Sequence, residues 1–217
     1  MKSSNNMALF NSSAISFEDV RLILCVHGYT IEDNFVCREI GYWSRNFNGS
    51  LPVSCRINVN KLSSKDKTTV KYLYTQFHGI NIRKQSEFSL LQNEVKSAIK
   101  SLYLLADDGK DRKYIGVCRD VNAFSLCHSV GLQYLTVNME KLKDCSKESK
   151  IPSNEDLITL LNNKFHPYIN CVLHDNLEND RPPLCAGVKA KFLADFFVKN
   201  CIVNMKVNDK FSQLTEL

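Results

Sequence analysis

The feature that most constrains the fold of this sequence is a change of hydrophobic period part-way along the chain. In the first third, apolar residues come in short runs rich in β-formers. Val20-Arg21-Leu22-Ile23-Leu24-Cys25-Val26 is stopped by His27-Gly28, and Phe35 to Trp43 and Leu51 to Ile57 are separated by Asn46-Phe47-Asn48-Gly49. Runs of this length with short turns between them predict three antiparallel strands. The period then becomes helical. Ser63-Ser64-Lys65-Asp66 caps a helix carrying Val70, Leu73, Tyr74 and Phe77, with Gly79 closing it, and Ser86 opens a second with Phe88, Leu91, Val95, Ile99 and Leu102 on one face. Asp107-Asp108-Gly109-Lys110 turns into a buried strand over Tyr114 to Cys118. Asn122 caps a short helix that Gly131 ends, and Tyr134 to Val137 is the next strand, a β-α-β unit. Ser153-Asn154-Glu155-Asp156 starts a helix with Leu157, Leu160 and Leu161, and Pro182-Pro183 precedes a last helix through Asn200. Antiparallel strands followed by alternating helices and parallel strands predict a mixed α/β sheet covered on both faces.

Composition limits the rest. The 217 residues are 44% hydrophobic and 24% charged, which suits one domain with a continuous core, while 8 Gly and 5 Pro exclude collagen-like and low-complexity chains. Residues 1–16 are polar and rich in Ser and Asn and read as a flexible tail, 17–203 as a single domain, and 204–217 as a C-terminal tail. No apolar run approaches the roughly 20 residues a membrane span needs. The start of the chain lacks the apolar core of a secretory signal, so an intracellular location, cytoplasmic or nuclear, is expected. Nine cysteines scattered through apolar segments read as reduced, mostly buried thiols. A net charge of +5 from well-mixed acids and bases permits an anionic partner without demanding one.

The most specific local pattern is Cys171-Val172-Leu173-His174, followed after ten residues by Cys185 at the start of the last helix. Cys-x-x-His brings thiolate and imidazole to one point, and a helix N-terminus presents a third soft ligand at its positive end. Zinc takes four ligands. Glu39 is the first candidate for the fourth, because it stands in the otherwise apolar Phe35-Val36-Cys37-Arg38-Glu39-Ile40-Gly41-Tyr42, where a buried carboxylate needs a partner. Cys37, His166 and Cys201 are substitutes.

The element order is that of ribonuclease-H-like domains, among them the DnaQ or DEDDh exonucleases. Arg38-Glu39-Ile40-Gly41-Tyr42, Phe77-His78-Gly79-Ile80, and Cys171-x-x-His174 with Cys185-Ala186 resemble the Maelstrom domain, a DnaQ-like domain of germline transposon-silencing proteins. That resemblance implies that Glu39, Cys171, His174 and Cys185 hold a structural zinc where exonucleases carry catalytic carboxylates. Two-metal phosphodiester hydrolysis needs several carboxylates around hard cations, starting with Asp-x-Glu on the first strand. Here that strand reads Leu24-Cys25-Val26-His27-Gly28, and the C-terminal region offers His174, Cys185 and Lys189.

The function expected on this resemblance is binding of single-stranded RNA or another nucleic acid. The setting would be small-RNA or transposon control, or an accessory protein of a mobile element or virus. Lys67, Lys71, Arg83, Lys84, Lys110, Arg112 and Lys113, with Tyr72, Tyr74 and Tyr114 nearby, are the candidate contacts to phosphates and bases. Two other classes stand beside it: an active nuclease, and a protein-interaction scaffold. Cys127-His128 with Cys118 lacks an orienting third residue and reads as core packing.

Overall fold

In the computed structural model, the described residues are 20–109, 116–118, 120–132, 136–138, 155–157, 159, 173–175, 177–178 and 183–196. The expected tails, the 141–150 loop, Cys171, His166, Cys201, Lys110, Arg112 and Lys113 lie outside them.

Among the described residues, five strands form one sheet. β1 (Leu22–Ile31), β2 (Asn34–Ser44) and β3 (Asn48–Pro52) make an antiparallel meander, and β4 (Gly116–Cys118) and β5 (Thr136–Asn138) continue the sheet in parallel. The spatial order is β3-β2-β1-β4-β5, so β1 sits at the centre and joins the antiparallel half to the parallel half. α1 (Ser64–Tyr72) runs on into a π-helical turn, Leu73–His78, that Gly79 ends at φ 63°. α2 (Val95–Ala106) and α3 (Val121–Ser129) follow, the latter inside the parallel β4-α3-β5 crossover, and a further helix, α4, covers 186–196. No helix among the described residues is long and apolar enough to cross a membrane.

The two faces of the sheet differ. Leu22, Leu24, Val26 and Ile40 point into an aliphatic core with Val95, Ile99 and Leu102 of α2 and Ala123 and Cys127 of α3. On the opposite face, His27 pairs with Glu39 and Cys25 with Gly41 in the β1–β2 register. Gly41 matters here because a Cβ would come within 1.9 Å of the Ala186 carbonyl carbon. Its absence lets the start of α4 lie directly on β2.

Several expected boundaries shift for local reasons. β1 does not stop at His27-Gly28 but continues to Ile31, because Gly28 lets the chain pass close to the Val36 carbonyl. β3 pairs over Asn48–Pro52, earlier than the expected Leu51 to Ile57, since the turn closes with Ser44 N–H donating to the Phe47 carbonyl at 2.7 Å. The second helix begins at Val95, not Ser86. Leu90 is drawn to the sheet edge, donating to the Pro52 carbonyl at 2.9 Å and accepting from Ser54 N–H at 2.7 Å, and Phe88 stays 85% exposed. Asp120, not Asn122, is the residue at the start of α3.

Candidate metal centre and adjoining cleft

Glu39 is fully buried on β2, and its two oxygens face different neighbours. Oε1 lies 3.1 Å from His174 Nε2 and 3.0 Å from Cys185 Sγ, and accepts from the Ser50 hydroxyl at 2.7 Å. Oε2 accepts the Ala186 N–H at 2.8 Å, at the positive end of α4, and stands 3.4 Å from His27 Nδ1 without a hydrogen bond between them. Burial alone would raise the Glu39 carboxyl. The imidazoles facing it, His174 first and His27 second, outweigh it and hold the group well below the ordinary carboxylate range.

Three elements converge to build this point. A β-bulge in β2 aims Glu39: the register steps from His27↔Glu39 to Gly28↔Cys37, leaving Arg38 as the extra residue. Residues two apart on a regular strand share a face, but the bulge sends Cys37 into the aliphatic core while Glu39 joins His27 on the other side. Cys37 is therefore excluded as a substitute ligand, and burial pushes its thiol up to about 12. Arg38, itself buried, donates to the carbonyls of Asn81 and Lys84 and ties down the segment after the π-helical turn. That segment carries Ile80, which bridges to His174, and Asp175 N–H donates to the Gly79 carbonyl at 2.7 Å. α4 brings Cys185.

The donor set fits a metal ion. Donor atoms of Glu39, His174 and Cys185 all lie within 4.8 Å of one another. Bonds of about 2.0–2.3 Å to zinc in a tetrahedron imply ligand–ligand edges of roughly 3.3–3.7 Å, and the two spacings from Glu39 Oε1, 3.1 Å to His174 Nε2 and 3.0 Å to Cys185 Sγ, are within a few tenths of an ångström to about 0.7 Å of those edges. The tautomer agrees. His174 Nδ1 faces the backbone carbonyl of His78, which can only accept, so Nδ1 carries a proton. Nε2 then faces the carboxylate with a lone pair unless a second proton or a cation lies between them, and a carbonyl-held imidazole is the usual outer support of a metal ligand. Of the four expected ligands, three come together and Cys171 lies outside the described residues.

A cleft of about 190 Å³ opens beside this group, lined by His27, Phe77, His78, Asp120 and Lys189 among others. His27 stacks on His78 with ring centroids 5.5 Å apart, and Phe77 meets His27 edge-on at 5.5 Å. His78 Nδ1 accepts the Ile80 N–H at 3.1 Å, so a neutral His78 holds its proton on Nε2, which has no hydrogen-bond partner. His27 Nδ1 is turned to the carboxylate, leaving its Nε2 as an unpartnered acceptor. Burial lowers both imidazoles, His78 well below 6.5, and the charge of Glu39 offsets this only in part. Lys189, almost wholly buried, donates to Asp120 Oδ1 at 2.8 Å.

The sequence reading missed His27, taken as a strand stop, and His78, which stands beside the helix-closing Gly79. Gly79 does cap, but the π-helical turn rolls His78 inward to 1% exposure. Among the basic residues, Lys67, Lys71 and Arg83 are exposed, whereas Lys84 is held by Asp175 at 2.7 Å. Cys127 is buried and His128 exposed, so they do not form a pair. No family model, curated protein or solved structure matches the chain.

Proposed function

We propose that the chain is a ribonuclease-H-like domain of the DnaQ type, fastened by zinc and given over to binding single-stranded RNA or another nucleic acid. The strand order β3-β2-β1-β4-β5, with its antiparallel meander and parallel crossover, supports the fold. Glu39, His174 and Cys185, with Cys171, would hold the metal, and four protein ligands leave no coordination position for water or substrate. The metal would then be structural, joining β2 to the start of α4. Small-RNA or transposon control, or an accessory role in a mobile element or virus, are the settings the resemblance suggests.

One observation carries the choice of binding over two-metal hydrolysis. Beside the middle of β1 and just past the end of β4, where hydrolysis would need clustered carboxylates, the cleft presents His27 on β1, and its Asp120 is already neutralised by Lys189 at 2.8 Å. An ammonium seated on the carboxylate repels a divalent cation. Filter binding of a labelled single strand against salt, with and without magnesium, tests the reading. Salt-dependent affinity without magnesium-dependent cleavage is expected, and the absence of any salt-dependent affinity would reject it.

The unpartnered imidazole nitrogens favour a second reading, a metal-free ribonuclease. His27 Nε2 has the lone pair of a general base and His78 Nε2–H the proton of a general acid, with Lys189 beside them. His27 would take the proton of a 2′-hydroxyl as that oxygen attacks phosphorus, and His78 would protonate the departing 5′-oxygen. Cleavage in excess chelator, abolished by one 2′-deoxy residue at the cut and by His27→Gln, would select this reading.

A further inference from the structure

A second hollow lies away from the metal group. It has a volume of about 210 Å³ and runs beneath α1, with Val59, Leu62, Val70 and Ile82 as an aliphatic floor and Tyr74 and Asn81 on its wall. Lys67 and Lys71 stand exposed at its rim, and with Tyr74 they are spaced i, i+4, i+7 along one side of the helical segment. No acidic residue among the described residues lines the hollow. The nearby Asp66 is turned inward, accepting the Ser63 hydroxyl at 2.7 Å in the helix cap. Among the described residues, no carboxylate pairs with Lys67 or Lys71.

The wall is anchored to the metal group. Tyr74 donates its hydroxyl to Asp175 Oδ2 at 3.1 Å, Lys84 donates to Asp175 Oδ1 at 2.7 Å, and Asp175 directly follows His174. The loop that presents the imidazole to Glu39 therefore also fixes the ring that closes the hollow.

We infer that this hollow captures one unpaired base of a single strand, with the flanking phosphates on Lys67 and Lys71. The inference rests on the nucleic-acid reading above and names where the ligand sits. An apolar slot bordered on one side by two cations matches a chain that alternates flat rings with anions. A base pair could not enter a hollow of this size, which selects single strands over duplexes. Base–aromatic and base–apolar contact tolerates any sequence, so weak sequence preference is expected.

The test uses the full chain and a short labelled RNA in fluorescence anisotropy, titrated against salt. Val59→Trp fills the slot while keeping every charge, and should weaken binding about tenfold with an unchanged salt slope. Lys67→Ala with Lys71→Ala should instead reduce the slope of log affinity against log salt by about 1.4, for two phosphates of a single strand. An arm that leaves the protein untouched compares the wild-type chain with the same RNA made abasic, expected to bind about tenfold more weakly, and with its duplex, expected to bind more weakly still. A folded Val59→Trp that binds like wild type, an abasic strand that binds like the intact one, or poly-glutamate that displaces RNA at equal charge would each overturn the slot while leaving salt-dependent RNA binding standing. Loss of the broader reading looks different: the wild-type chain would then show no salt-dependent affinity for any strand.

Discussion

The two faces of this sheet are built from the same strands and held by different physics. On one, Leu22, Leu24, Val26 and Ile40 meet α2 and α3 through side chains that need nothing but the removal of water. On the other, His27, Glu39, Cys185 and Lys189 are buried, with the ring of the half-buried His174 set against Glu39, and each is unfavourable there unless its neighbours are in place. The aliphatic face is additive and forgiving, whereas the polar face fails when one member is removed. A chain that keeps such a face retains it for what the assembled group does, because packing alone would be satisfied by apolar side chains of the same volume.

The largest expected effect breaks the polar face at its centre. Glu39→Ala leaves His174, Cys185, the Ser50 hydroxyl and the Ala186 N–H without their common acceptor. It should cost roughly 3–5 kcal/mol and remove bound metal together with that stability. Metal analysis of purified protein, with denaturant unfolding before and after chelation, measures both. About one zinc per chain is expected in the wild type, and a metal-free wild-type protein that is fully folded and indifferent to chelator would sink the zinc reading.

On the aliphatic face, Leu24→Ala should cost about 2–5 kcal/mol through lost burial and a cavity. The comparison is sharpened by chelator. The Leu24→Ala penalty should be the same with and without metal, because Leu24 packs into the aliphatic core on the other face of the sheet, whereas the Glu39→Ala penalty should shrink once metal is gone. Equal shrinkage of both would mean that the two faces act as one unit.

A smaller effect comes from Lys189→Met. It leaves Asp120 partly buried beside the two imidazoles without its ammonium, at a cost of roughly 1–3 kcal/mol. Asp120→Asn added to it should recover most of that loss in urea unfolding. Failure of the second substitution to rescue would show that Lys189 acts through packing of its stem and not through the ion pair.

How much of this was legible in the sequence follows the same division. The meander, the crossover and the aliphatic core were readable because period-2 and period-3.6 patterns report burial on one side of a strand or helix. The candidate group of Glu39, His174 and Cys185 drew notice in the sequence because Cys-x-x-His and a lone Glu in an apolar strand are chemically conspicuous, and the fold brings these three side chains together. What escaped are features created by irregular backbone. A one-residue bulge at Arg38 separates Cys37 from Glu39, and a π-helical turn swings His78 into the cleft. The run Phe88, Leu91, Val95 had helical spacing by coincidence, because Leu90 belongs to the sheet edge. His27, Asp120 and Lys189 are far apart in sequence and gained meaning only when the fold joined them.

The smallest prediction separates the faces by pH. His27 and His78 are buried with pKa values lowered from 6.5, so the unfolded chain takes up protons near pH 6.5 that the folded chain refuses. Stability must then fall as pH drops from 7.5 to 5.5, by up to roughly 1.4 kcal/mol per pH unit for each histidine that stays neutral. Glu39, held low, contributes in the opposite window: its stabilisation is present above 4.5 and is lost only as acid reaches its folded value. Denaturant unfolding across pH 5.5–7.5 should therefore show a slope that His78→Gln reduces and Leu24→Ala leaves alone. A Leu24→Ala chain with a flattened slope would mean that the aliphatic core, and not the imidazole pair, sets the acid sensitivity.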